Sequence, residues 1–138
     1  MTGATDAVRL AEALATLNHS TRRALRLPLS ASSIAALGTI IDRAPIRLGE
    51  LADHEGVTPA TLSRIVAALE GEGYARRRTD PEDRRSSFLE ATDAGRAIMV
   101  RVRSDRADAL SGRLSRLTPA QARTLAAAVP VLEVLALD

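Results

Sequence analysis

Aromatic residues are almost absent from this chain, and this scarcity restricts its fold more than any other feature. Tyr74 and Phe88 are the only two aromatic side chains among 138 residues, whereas leucine and alanine are abundant. A core assembled from these two aliphatic residues is typical of helices packed on helices. We therefore predict a mostly α-helical protein.

Apolar spacing and capping residues divide the first half of the chain into helices. A helix is predicted over residues 30–43 and a shorter one over residues 48–55. Gly56 follows the short helix and suits the left-handed conformation that closes a helix. Thr58 and Pro59 then supply a capping hydroxyl and a proline at the first position of the next helix, where the missing N–H costs nothing. Two short helices joined by a tight turn are thus expected here.

The second half changes from helix to strand and back to helix. Residues 74–79 and 86–91 read as two strands joined by a polar turn, which predicts a small β-hairpin. Thr92 is expected to cap a long helix, and Thr118 with Pro119 repeats the capping signature before a last helix. The predicted fold class is therefore mostly α with a small β-hairpin.

The two short helices match the geometry of a helix-turn-helix, whose second helix enters the major groove of DNA. The face opposite its apolar stripe carries small or hydrogen-bonding residues, which allow close approach to base edges. The candidate DNA-binding residues of this helix are Thr58, Ala60, Thr61, Ser63 and Arg64. Arg64 could donate two hydrogen bonds to guanine. The competing interpretation is a merely solvated helix face, since any such face is polar.

The turn of the predicted hairpin carries Asp83, Arg84 and Arg85, which we also expect to bind DNA. An arginine side chain suits a narrow minor groove, where the negative potential is concentrated. Asp83 would hold one of the two arginines in a fixed pose, and which arginine enters the groove stays open. Between Val57 and Arg96 there are seven arginines and seven acidic residues, so placement rather than bulk charge must explain binding.

Five blocks of sequence together resemble the MarR family (multiple antibiotic resistance regulators), and with the flanking helices the similarity extends over essentially the whole chain. The blocks are Leu48-Gly49-Glu50-Leu51-Ala52, Gly56-Val57-Thr58-Pro59-Ala60-Thr61-Leu62-Ser63-Arg64, Leu69-Glu70-Gly71-Glu72-Gly73, Asp80-Pro81-Glu82-Asp83-Arg84-Arg85 and Ala91-Thr92-Asp93-Ala94-Gly95-Arg96. The resemblance implies a winged helix-turn-helix transcriptional regulator. The last two blocks resemble the wing of the family and the start of its long dimerisation helix.

The resemblance further implies a homodimer that reads a pseudo-palindromic operator in double-stranded DNA as a ligand-responsive repressor. The single MarR-like domain, residues 1–138, would comprise dimerisation helices at about 1–28 and 93–138 and a DNA-binding lobe at about 30–92. The resemblance implies a small-molecule effector bound between the dimer base and the lobes, and a regulator without any ligand is the alternative. Apolar stripes over residues 10–25, 98–117 and 125–135 also favour mutual burial between two chains over a monomeric core.

Other classes of function find little support in the sequence. Without cysteine there is no disulfide, thiolate metal site or thiol sensor. His19 and His54 lack ligand spacing, and no nucleophile with a base, carboxylate pair or phosphate loop stands out, so no catalytic residue, metal or cofactor is expected. The remaining alternative is a winged-helix module that binds a protein and has lost DNA binding.

The basic residues and the N-terminus bear on partners and location. All 19 basic side chains are arginine, yet the net charge is only +2, so the high isoelectric point overstates the basicity. Arginine usage of this kind is also what GC-rich coding produces. No stretch approaches the roughly 20 apolar residues of a membrane span, and no basic start followed by an apolar run precedes Leu10. We expect a cytoplasmic protein without a membrane partner.

Overall fold

Six helices and three short strands follow one another along residues 3–137, the part of the chain that the computed structural model describes. In chain order they are α1 (Ala4–Ala24), α2 (Ala31–Arg43), β1 (Ile46–Arg47), α3 (Leu48–Glu55), α4 (Pro59–Gly71), β2 (Ala75–Thr79), β3 (Ser87–Ala91), α5 (Asp93–Leu114) and α6 (Pro119–Leu135). The predicted mostly helical fold class is confirmed.

Two compact units divide these elements. One comprises the described residues up to Arg26 together with those from Asp105 onward, and the other runs from Leu27 to Ser104. The division falls within α5, whereas the sequence suggested a boundary at its first turn. The second unit contains both short helices and all three strands.

The second unit is built around a single apolar cluster. In α4, Leu62, Val66 and Leu69 are fully buried because residues spaced by three and four lie on one face of a helix. Leu37 of α2 and Leu89 of β3 complete the centre of the same cluster. Each such side chain contributes about 1.5–3 kcal/mol on burial. This core fixes which face of α4 is turned away from the protein.

The turn between α3 and α4 forms as the sequence predicts. Gly56 adopts a left-handed conformation with φ 64°, and the N–H of Val57 donates to the carbonyl of Ala52 at 3.1 Å, which closes α3. At the start of α4 the Oγ1 atom of Thr58 accepts the N–H of Thr61 at 3.2 Å. The left-handed turn at Gly56 and the Thr58 cap therefore set the angle between α3 and α4, the two helices of the helix-turn-helix.

The sheet contains three antiparallel strands, so the expectation of a simple hairpin is incomplete. β1 pairs with β3 on the side opposite β2, which gives the order β1-β3-β2. Ile46 lies opposite Leu89 on the core side, and Arg47 lies opposite Phe88 on the other face, which we call the outer face of the sheet. A strand of only two residues carries no periodicity, and it exists because β3 offers a free edge.

The first unit consists of helices whose apolar residues are not covered. Neither α1 nor α6 contains a buried residue. The exposed large apolar side chains of α1 include Leu10, Leu14 and Leu17, and those of α6 include Leu125 and Val129. Within the described residues, the apolar stripes of α1 and α6 are therefore present but not buried, whereas Ile98 and Val102 of the α5 stripe pack into the core of the second unit.

Over residues 3–137, helices that are both long and apolar enough to cross a bilayer are absent.

Candidate nucleic-acid interface

The face of α4 that points away from the core carries most of the residues proposed for the major groove. Ala60, Thr61 and Arg64 are exposed, and Ser63 is half-buried beside them. Within residues 3–137 Arg64 has no salt-bridge partner. Its guanidinium is therefore available to an incoming group, as a base-reading arginine requires.

Thr58 lies at the N-terminal end of this face, and its hydroxyl caps α4. Its Oγ1 accepts the backbone N–H of Thr61 and donates to the Oγ1 of Thr61 at 2.9 Å. Thr61 keeps its own hydroxyl hydrogen for another acceptor. Pro59 has no N–H, and the N–H groups of Thr61 and Leu62 are bonded to Thr58. The N–H of Ala60 and the positive end of the helix dipole remain at the first turn of α4 and favour a phosphate nearby.

The wing, defined here as β2, β3 and the turn 80–86 between them, is shaped by two aspartates. Asp80 Oδ1 accepts the N–H of Glu82 at 2.9 Å, and Asp83 Oδ1 accepts the N–H of Arg85 at 3.1 Å. In both cases an aspartate bonds the backbone two residues ahead, which mimics a turn. The acidic residues of the wing thus order its backbone.

Asp83 also lies near the side chain of Arg85. Its Oδ1 atom is 3.7 Å from Arg85 Nε, which is longer than a hydrogen bond, and the Arg85 side chain is 96% exposed. Arg84 is exposed as well and has no salt-bridge partner within residues 3–137. Both arginines therefore project from the tip of the wing, and only Arg85 is within ion-pair distance of Asp83.

Arg47 joins the helix-turn-helix to the wing, and sequence reasoning missed it. Its Nη2 donates to Asp80 Oδ2 at 2.7 Å, its Nη1 donates to the hydroxyl of Ser86, and its guanidinium carbon lies 4.5 Å from the ring centre of Phe88. Arg47 immediately precedes α3, whose Glu50 accepts the Arg47 backbone N–H at 3.2 Å. No sequence signal links positions 47 and 80.

These contacts set the charge state of Asp80, which is buried in the wing. The backbone N–H of Glu82 lowers its pKa most, and the hydrogen bond from Arg47 lowers it further. Burial alone would raise the pKa, but the hydrogen bonds outweigh it. Asp80 is therefore ionised at neutral pH and holds the base of the wing turn.

A close backbone approach fixes the point where α5 leaves the wing. Thr92 Oγ1 accepts the N–H of Gly95 at 3.0 Å and donates to the carbonyl of Gly73 at 2.6 Å, while the Thr92 N–H donates to the carbonyl of Tyr74 at 3.1 Å. A Cβ atom at Gly95 would lie 2.1 Å from the Tyr74 oxygen. Only glycine fits at this crossing.

Pairing explains how a segment with equal numbers of acids and arginines can present positive charge. Glu70 accepts from Arg77 at 2.7 Å, and Glu90 accepts from two further arginines of β2. Glu70, near the end of α4, and Glu90 of β3 are thus both paired with arginines of β2. Arg64 and Arg84 remain without an acidic partner inside the second unit.

Over residues 3–137 the structure brings together no group of three or more histidine and acidic side chains that could hold a metal ion. The site is instead a polar helix face beside a rigid hairpin tipped with arginines. This arrangement binds and positions a charged polymer, and it defines the class of winged helix-turn-helix DNA-binding proteins.

Comparison with known proteins places the chain within that class. The family model described as the MarR family matches residues 29–87. Over this segment, which is less than half of the chain, the sequence is similar to the MarR family, and relatives by sequence are named HTH-type transcriptional regulators.

Individual relatives agree in sequence and in fold. An uncharacterised HTH-type transcriptional regulator of Mycobacterium bovis is 28% identical over 105 residues, which cover 76% of this chain and 73% of the relative. The transcriptional regulator Tm0710 of Thermotoga maritima superimposes with a TM-score of 0.71 at 28% identity, covering 91% and 89% of the two chains. FabT of Streptococcus pneumoniae, solved in complex with DNA, has a TM-score of 0.66 at 18% identity, with 94% and 96% covered.

Proposed function

We propose that this regulator is a homodimer that binds a pseudo-palindromic operator in double-stranded DNA and represses transcription in the cytoplasm until an effector releases it. The observation that carries the proposal is the open polar face of α4 beside a wing tipped with unpaired arginine. The FabT complex with DNA supports the docking, because that protein has the same fold.

Base reading falls to α4 in this proposal. Arg64 donates two hydrogen bonds to a guanine, a contact that discriminates against other bases by about 1–3 kcal/mol. Ser63 and Thr61 donate or accept at neighbouring base edges, while Ala60 allows the backbone to approach closely. Thr58 caps the first turn of α4, and the N-terminal end of this helix lies next to a phosphate.

The wing supplies the second contact. Arg84 or Arg85 enters the minor groove next to the major-groove site, where negative potential is greatest. Asp83 shapes the turn and lies close to Arg85, which favours Arg85 as the inserted residue. Arg84 would then contact the adjacent phosphates.

Assembly as a homodimer is supported by the exposed apolar faces of α1 and α6. Large apolar patches on a folded chain mark surfaces that are covered in the working assembly, and a two-fold dimer covers both copies with the same patch. A two-fold dimer also presents two α4 helices to two half-sites, which explains why the operator would be pseudo-palindromic. Light scattering that shows a compact monomer at micromolar concentration would contradict this part.

Release by an effector is the part of the proposal that rests on the family resemblance. A small molecule bound to the dimer would change the spacing of the two α4 helices.

The test is selection of a binding sequence from a random DNA pool, followed by titration of the enriched duplex. Arg64→Ala should weaken binding to that duplex by roughly 5- to 150-fold for each half-site and leave binding to random DNA nearly unchanged. Arg123→Ala removes the same charge from an exposed position of α6 and serves as the matched control.

Two outcomes would count against the proposal. Equal losses on selected and random DNA would make Arg64 a phosphate contact. If the selection enriches no sequence and the affinity for DNA barely changes with salt concentration, the alternative of a winged-helix module that binds a protein is favoured instead.

A further inference from the structure

Three consecutive arginines of β2 are not used by the function proposed above. Side chains alternate along a strand, so Arg77 lies on the face of Leu89, whereas Arg76 and Arg78 lie on the outer face of the sheet. Arg77 is paired with Glu70, one charge against one. The alternation of the strand therefore places the neutralised Arg77 on one face and both Arg76 and Arg78 on the other.

Arg76 and Arg78 share a single carboxylate. Arg76 donates through Nε and Nη2 to Glu90 Oε2 at 3.3 and 3.2 Å, and Arg78 donates through Nη1 to Glu90 Oε1 at 3.0 Å. The Glu90 side chain is only 16% exposed, while those of Arg76 and Arg78 are 66% and 69% exposed. One excess positive charge is thus displayed above a shielded carboxylate.

The shared carboxylate also leaves both guanidinium groups able to bind a second anion. Each arginine has five N–H donors, and Glu90 uses two on Arg76 and one on Arg78. Because Glu90 holds both side chains in place, less conformational entropy is lost when they bind. Planar guanidinium groups with free donors are well suited to bidentate contact with phosphate.

We propose that Arg76 and Arg78 form a phosphate-binding site on the outer face of the wing, which binds the backbone of double-stranded DNA beside the groove that the wing tip enters. This inference rests on the proposed DNA-binding function and extends it. β2 runs directly into the turn that carries Arg84 and Arg85. The two arginines lie about 7 Å apart along the strand, so they can follow the DNA backbone away from the tip.

The test compares variants on the duplex enriched by the wild-type protein, with affinity measured by fluorescence anisotropy at several salt concentrations. Each phosphate contact contributes about 0.9 to the slope of log K against log salt. Arg76→Gln with Arg78→Gln should make the slope less steep by roughly 2 to 4 for a dimer. Arg77→Gln removes the same kind of charge from the other face and should leave the slope unchanged.

Two further variants separate phosphate contact from other effects. Adding Glu90→Gln to the double variant removes the carboxylate that would otherwise repel DNA, and the reduced slope should persist. Arg76→Lys with Arg78→Lys keeps both charges and should restore most of the slope, which a purely structural role in the strand would not predict. Thermal melting checks that each variant is folded.

The results distinguish this site from the function on which it rests. If the wild-type protein binds the enriched duplex with a steep salt dependence and the triple variant has the same slope, the phosphate site is refuted and DNA binding stands. If the wild-type protein enriches no duplex and binds without salt dependence, the DNA-binding proposal itself is refuted. Hydroxyl-radical footprinting adds a positional check, since the double variant should lose protection only beside the wing.

Discussion

Replacing Gly95 with alanine tests the close crossing between the wing and α5. The added Cβ would lie 2.1 Å from the carbonyl oxygen of Tyr74, whereas real contacts of this kind are essentially never shorter than 3.0 Å. The two backbones must therefore separate by about 1 Å. The same carbonyl accepts the N–H of Thr92, so the shift also strains the cap of α5.

Two opposing effects decide the size of the change. Alanine is a better helix former than glycine by up to about 1 kcal/mol, which favours the variant. Overpacking costs about 1–3 kcal/mol, and the upper end applies here because the neighbouring atom is backbone and cannot rotate away. We expect a net loss of about 2 kcal/mol, which lowers the melting temperature by roughly 6 to 10 °C in a chain of this size.

The assay is thermal unfolding followed by circular dichroism, with all proteins at one concentration because a dimer melts in a concentration-dependent way. Gly49→Ala in α3 is the matched control, since a Cβ there meets nothing within 4 Å. That variant should melt at the wild-type temperature or a few degrees higher. A Gly95→Ala protein that melts no lower than the wild type would refute the steric argument.

Two further predictions concern the wing. Asp83→Ala and Arg85→Ala should each weaken binding to the enriched duplex. The loss in the double mutant should differ from the sum of the two single losses by no more than about 1 kcal/mol, because the pair is exposed. Additive losses would remove the orienting role of Asp83. The pKa of Asp80 in the folded protein is lower than its ordinary value of 3.8. The ionised carboxylate therefore stabilises the fold above pH 3.8, and this stabilisation is lost as the pH falls through the lower pKa of the folded state. The difference in urea midpoint between wild type and Asp80→Asn should accordingly shrink below about pH 4, and a difference that stays constant from pH 7 to pH 3 would contradict the prediction.

Local signals in the sequence are sufficient for the helices and for one half of the candidate site. A left-handed glycine at 56 and the Thr58-Pro59 cap are decided by neighbouring backbone geometry, so they can be read without any tertiary contact. The spacing of Leu62, Val66 and Leu69 marks the buried face of α4 and hence its exposed face. The position of Arg64 on that exposed face follows from periodicity alone.

Only the tertiary structure decides what the other residues of the wing do. β1 is two residues long and pairs because β3 presents a free edge, and Arg47 reaches Asp80 and Ser86 only once that pairing exists. The sequence shows three adjacent arginines, but the division into Arg77 on Glu70 and a pair on Glu90 depends on strand register. Such contacts join residues far apart in the chain, and no periodic or capping pattern encodes them.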